Sequence, residues 1–256
     1  MAAGCACQDR SVRALRIVAA AATAAALAGC APAAPEGGAL TVYAAASVAP
    51  AMEEIAQAFE ARYPGVDVRP IVSDGSQVLA TQLEEGAPAD VFASADEATM
   101  ARVAPLIHDP AVLATNTLVL AVPPGNPAGV QALEDLARPD VTVVLCAEDV
   151  PCGAASARLL DAAGVAVEPA SLEQNVGGVV TKIAVGEADA GLVYRTDALR
   201  GDVVAIEADG ADEVVNRYPI AVLRAAPNPE AAREFAEFAA GPEGRAILAE
   251  LGFGAP

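Results

Sequence analysis

The chain has 256 residues, 54% of them hydrophobic, and a formal charge of −19 from 15 basic and 34 acidic side chains. Such a surface repels nucleic acid and anionic lipid, which argues against DNA binding and against docking on a membrane face. His108 is the only histidine, so a serine triad or a metal hydrolase has little to build on.

Taken from the start, Arg10, Arg13 and Arg16 precede an apolar run over 17–27 that closes on Leu27-Ala28-Gly29-Cys30. The run is short for a membrane span and ends in small residues, which reads as a secretory signal over 1–29 with a lipobox-like end. On this reading Cys30 is the lipid-modified first residue of the mature chain, and the Pro/Gly-rich stretch 30–39 is its tether. Loss of 1–29 removes three arginines and one aspartate, leaving 12 basic against 33 acidic side chains and a charge of −21. Any anion held by such a body is held by short-range, directed hydrogen bonds rather than by bulk charge.

From residue 40 onward short apolar strands alternate with helices. Strands are predicted over 40–43, 66–72, 91–94, 117–122, 141–145, 190–194, 203–206 and 214–223. Helices are predicted over 48–62, 77–85, 96–103, 130–137, 154–163, 178–186, 229–239 and 242–251. Alternation of this kind specifies an α/β fold in which parallel-rich sheets are flanked by helices, and its length suits two lobes better than one sheet.

Several local signals carry chemistry. Ser47 closes the first strand at the start of a helix whose apolar positions are Met52, Ile55, Ala56 and Phe59. Ser76 follows the turn Asp74-Gly75 ahead of Val78, Leu79 and Leu83. Both serines read as N-caps, where a hydroxyl and the free N–H groups of a helix start make a neutral anion cradle. The plainer reading of each is a structural cap alone. Cys152 heads another helix between Pro151 and Gly153, and Val176 follows the good N-cap Asn175,. Tyr194 ends a predicted strand, a place where tyrosine is more often a core-edge residue. Cys146 and Cys152, six positions apart in an oxidising compartment, form a disulfide or remain two partly buried thiols. One histidine and no second cysteine pair argue against zinc, so no bare cation site is expected.

The block Gly86-Ala87-Pro88-Ala89-Asp90-Val91-Phe92-Ala93-Ser94-Ala95-Asp96, with Val42 to Ser47, Ser73 to Ser76, Val150 to Gly153, Asn175 to Gly178 and Gly191 to Tyr194, resembles the molybdate-binding components of ABC importers. These belong to the type II periplasmic binding protein superfamily. The resemblance implies a two-lobed fold with the ligand in the interlobe cleft, lobe 1 comprising 40–118 and 221–256 and lobe 2 comprising 119–220. It implies that Ser47, Ser76, Tyr194 and the backbone N–H groups of Cys152 and Val176 hold molybdate or tungstate without a basic side chain. It further implies no cofactor, a monomer on the outer face of the cytoplasmic membrane or in a periplasm, and delivery to a permease and its ATPase. Cys152 and Asp74 depart from the family pattern, and a carboxylate at Asp74 repels an anion unless it points away. A binding protein for sulfate or phosphate, or a tethered sensor without transport, is the alternative.

Overall fold

The computed structural model describes residues 38–256; the expected signal over 1–29, Cys30 and the tether up to residue 37 lie outside the described residues. In chain order, β1 (Ala39–Leu40) and β2 (Val42–Ala45) lead into α1 (Ala49–Arg62). Then come β3 (Asp67–Val68), β4 (Val72–Asp74), α2 (Ser76–Glu84), β5 (Val91–Ala93), α3 (Glu97–Arg102) and β6 (Ala111–Asn116). After Thr117 the chain continues as β7 (Leu118–Val122), β8 (Val143–Cys146), α4 (Pro151–Ala163), β9 (Ser171–Glu173), α5 (Val176–Ala184), β10 (Ala190–Tyr194), α6 (Arg195–Arg200) and β11 (Val204–Ile206). It ends with β12 (Asn216–Val222), α7 (Pro229–Ala240) and α8 (Pro242–Glu250).

Two five-stranded sheets result, in the orders β4-β2-β5-β12-β6 and β11-β7-β10-β8-β9, while β1 and β3 pair separately. Each is mixed. In the first, β2 runs parallel to β4 and β5, whereas β12 is antiparallel to β5 and β6. In the second, β8 runs parallel to β9 and β10, whereas β7 is antiparallel to β10 and β11. The antiparallel partners belong to the strands that carry the chain between sheets, so the sheets are less parallel than strand-helix alternation alone implies. Sheet membership changes across Thr117, and again between β11 and β12. The expected boundary at 221 falls inside β12, all of which pairs in the first sheet.

Helices cover both faces of each sheet, and the strands are accordingly apolar throughout: β2, β5, β7, β8 and β10 are buried at every position,. The C-terminal helices return to the first sheet because α7 supplies Phe235 and Phe238, whose rings meet Phe59 of α1 edge-on at 5.2 and 5.5 Å,.

Departures from the sequence reading have local causes. The predicted strand 66–72 is split into β3 and β4 around Pro70, which cannot donate to a ladder,. The predicted helix 130–137 is a 3₁₀ turn over Leu133–Ala137. Three short elements, β6, β9 and α6, carry no strong period; β6 and β9 are sheet edges and α6 has only six residues. Gly86, with φ +90°, terminates the α2 segment in the left-handed region that favours glycine,.

Candidate functional site

Between the C-terminal ends of β2, β4 and β10 and the first turns of α2, α4 and α5 lies a small, open-sided cavity of about 10 Å³. Ser47, Ser76, Cys152, Val176 and Tyr194 all line it, although they are spread over nearly 150 positions. No charged side chain is among its lining residues. A larger cavity of about 760 Å³ lies against β12 and α7 and shares none of these residues; His108 lines that one.

Neither serine is an N-cap. The cap of α1 is Val48, one residue beyond Ser47, and the cap of α2 is Gly75, with Ser76 the first helical residue. Neither cap makes a side-chain hydrogen bond. The two hydroxyls, both buried, are instead held by tertiary partners. Ser76 Oγ accepts from the Ala95 N–H at 3.0 Å, and Ser47 Oγ accepts from the Tyr218 hydroxyl at 3.1 Å. The third hydroxyl, on Tyr194, accepts from Asn216 Nδ2 at 2.8 Å. A hydroxyl whose oxygen already receives a hydrogen bond has its own hydrogen left to give. Burial holds the Tyr194 hydroxyl well above the ordinary tyrosine range, with the neighbouring Tyr218, Asp96 and Asp197 adding to the rise. Burial also raises Tyr218. Both tyrosines are therefore neutral donors at physiological pH.

The remaining two positions are helix starts. Pro151 occupies the first position of α4, where its missing N–H costs nothing, and Cys152 the second,. Val176 is the first residue of α5, and Asn175 caps that helix by accepting from the Gly178 N–H at 3.1 Å. First-turn N–H groups have no partner within their helix, and the macrodipole favours negative charge beside them. Cys146 and Cys152 are joined in a disulfide with Cα atoms 5.8 Å apart, which ties the start of α4 to the end of β8.

Asp74 does not line the cavity. Its Oδ1 accepts from the Gly75 N–H at 2.7 Å and from Asn175 Nδ2 at 3.3 Å, so the carboxylate is turned onto the loop preceding α5. Gln77 Nε2 makes a second link there, donating to the Gln174 carbonyl at 2.9 Å. On the other flank Arg200 of α6 donates to the Ser47 carbonyl at 3.0 Å and to Asp197 Oδ1 at 3.1 Å. Burial lifts the Asp197 carboxyl to about 7 despite the opposing effect of Arg200, and its Oδ2 has no partner among the described residues.

Sequence reasoning did not single out Tyr218, Asn216, Arg158 or Arg200, the groups that orient the cavity hydroxyls or bridge its flanks. Only one signal pointed to this layer. Ala95 belongs to the recognisable block Gly86 to Asp96, and it contributes both a lining residue and the N–H on Ser76.

A cavity of fixed neutral donors suits a solute that only accepts hydrogen bonds. The profile of the family described as bacterial extracellular solute-binding protein matches residues 40–254, and the chain belongs to that family. Among its relatives is the molybdate-binding protein ModA of Mycobacterium bovis, 44% identical over 232 residues, with 88% of each chain covered. The periplasmic molybdate-binding protein of Azotobacter vinelandii has the same fold, with a TM-score of 0.72 at 21% identity over 85% of this chain and 99% of that one. The sulfate-binding protein SubI of Mycobacterium tuberculosis is also similar in fold, with a TM-score of 0.71 at 19% identity over 84% and 86% of the two chains.

Proposed function

We propose that this protein captures molybdate or tungstate outside the cytoplasm and delivers it to the permease and ATPase subunits of an ABC importer. The observation that carries the reading is the convergence of Ser47, Ser76 and Tyr194 with the helix starts at Cys152 and Val176 in one uncharged cavity. Each hydrogen bond to a charged oxygen contributes roughly 1.5–3 kcal/mol, so a few such donors hold a dianion without a cationic side chain. The 44% identity to a molybdate-binding protein favours these ions over other tetrahedral anions.

Hydrogenphosphate fits the donor set poorly. It carries a proton that needs an acceptor, no carboxylate lines the cavity, and Asp74, adjacent in sequence to the lining residue Gly75, is already engaged by Gly75 and Asn175. Catalysis is no part of this reading: the cavity offers donors to hold an ion and no base or nucleophile paired to transform it.

The same reading takes the halves built on the two sheets as lobes that close on the ion and part to release it. The expected division, 40–118 with 221–256 against 119–220, then needs two adjustments, since β12 travels with the first lobe and Leu118, the first residue of β7, with the second. A monomer tethered through a lipid on Cys30 completes the proposal; mass spectrometry of the N-terminus and sedimentation test those two parts.

Titration calorimetry of the purified protein with molybdate, tungstate, sulfate and phosphate is the direct test. Tight binding of the first two alone is expected. Absence of heat with every oxyanion rejects the proposal, and a preference for sulfate or phosphate reassigns the ligand.

A further inference from the structure

The strands that carry the chain between the two sheets meet at a pair of asparagines. Asn116, the last residue of β6, and Asn216, the first of β12, are register partners across the antiparallel ladder, and both are buried. Asn116 Nδ2 donates to Thr196 Oγ1 at 2.8 Å and approaches the Tyr218 hydroxyl at 3.5 Å. Asn216 is held more completely. Its two amide hydrogens go to the Tyr194 hydroxyl at 2.8 Å and the Ala95 carbonyl at 3.1 Å, and its Oδ1 accepts from Arg158 Nη2 at 3.2 Å.

This arrangement admits one orientation of the amide. A guanidinium has no acceptor and a carbonyl no donor, so Oδ1 must face Arg158 and Nδ2 must face Ala95. The second amide hydrogen then meets the Tyr194 oxygen, which is forced to accept. Tyr194, which lines the cavity, keeps its own hydrogen to give, towards the cavity or within the protein to the neighbouring Tyr218 oxygen. The contacts also join the two sheets: Ala95 follows β5 of the first, while Tyr194 and Arg158 belong to β10 and α4 around the second.

We infer that Asn216, locked by Arg158, is a positioning residue that turns the Tyr194 hydroxyl into a hydrogen-bond donor for the bound oxyanion. The inference rests on the oxyanion reading above. The bond from Asn216 to the Ala95 carbonyl fixes the amide and does not reach Ser76, which accepts from the separate Ala95 N–H. Asn216 touches the tyrosine and not the solute, and its effect is transmitted entirely through that hydroxyl.

A double-mutant cycle with sodium molybdate tests this, using calorimetry on the purified protein, Asn216→Leu, Tyr194→Phe and the double variant. Asn216→Leu is expected to weaken binding about tenfold, the scale of one impaired hydrogen bond to a charged group. In the Tyr194→Phe background, with no hydroxyl to orient, the same substitution is expected to change affinity by less than about twofold. Should Asn216→Leu fail to fold, Asn216→Asp enters the same cycle; it keeps the shape, accepts from Arg158 and has no hydrogen for Tyr194, so its loss is expected to shrink in the phenylalanine background. An equal loss in both backgrounds, or none in either, overturns the inference while leaving the oxyanion reading intact. No binding by the unsubstituted protein overturns both.

Discussion

Gly75, which follows β4, and Gln174, which follows β9, meet so closely that a Cβ on the glycine would overlap the carbonyl oxygen of the glutamine and come within 2.6 Å of Gln77 Oε1. The backbone at Gly75, φ −57° and ψ 138°, is open to any residue,. Absence of a side chain there therefore serves the approach of two segments rather than a special conformation. Gly75→Ala is expected to weaken molybdate binding at least about tenfold by holding the cleft open, while lowering the stability of the ligand-free protein by no more than about 1 kcal/mol. Calorimetry beside thermal denaturation separates the two effects, and unchanged affinity refutes a closing cleft at this point.

Ser47→Ala and Ser76→Ala each remove one oriented donor, and each is expected to raise the molybdate Kd by about 10- to 100-fold. Ser76→Ala also strips the Ala95 N–H of its partner, so its thermal stability falls by about 1–2 kcal/mol as well. Intact affinity in the double variant would rule out the assigned cradle.

The disulfide Cys146–Cys152 closes a small loop at the start of α4, six positions long. On chain entropy alone its reduction costs about 2 kcal/mol, or about 4–8 °C in Tm. It also frees the turn that presents the Cys152 N–H, so affinity should fall several-fold. Titration after mild reduction, with both thiols counted as free, checks this; a Kd equal to that of the oxidised protein removes any link between redox state and binding.

Asp197 gives a pH dependence of defined sign. Its carboxyl titrates at about 7 in the folded protein and near 3.9 in the unfolded chain. Between those values the folded state binds the extra proton, so this group's contribution to stability declines as pH rises from about 4 to about 7. Above 7 the full cost of a buried, half-partnered carboxylate remains, of order 2–4 kcal/mol. Asp197→Asn keeps an acceptor for Arg200 and is expected to raise Tm at pH 8 while changing it little at pH 4.5. A Tm difference that does not vary with pH contradicts the assignment.

Much of the fold was readable along the chain because helices and buried strands advertise themselves by period. The helices α1, α2, α4, α5, α7 and α8 all lie where apolar spacing places them, within a few residues,. The edge strands β6 and β9 and the short helix α6 were not legible, since each is defined by neighbours distant in sequence rather than by its own pattern. The N-cap reading of Ser47 and Ser76 failed for a related reason. A serine beside a helix start satisfies the local signature whether its hydroxyl caps the helix or is taken by Ala95 or Tyr218 from elsewhere in the fold.

What the amino-acid sequence determined by itself is the inventory: an acidic body, alternating elements, two serines and two helix starts at the right junctions, a tyrosine ending a strand, and a cysteine pair close enough to join. Tertiary structure decided everything that depends on distance between remote positions. It brought five scattered residues around one cavity, engaged the Asp74 carboxylate with Gly75 and Asn175 at its rim, and set Asn216 against Tyr194 so that the hydroxyl oxygen accepts there and keeps its hydrogen to give. Hydrogen bonds are made at about 3 Å and are directional, so they are decided by the packing of whole elements rather than by residue order.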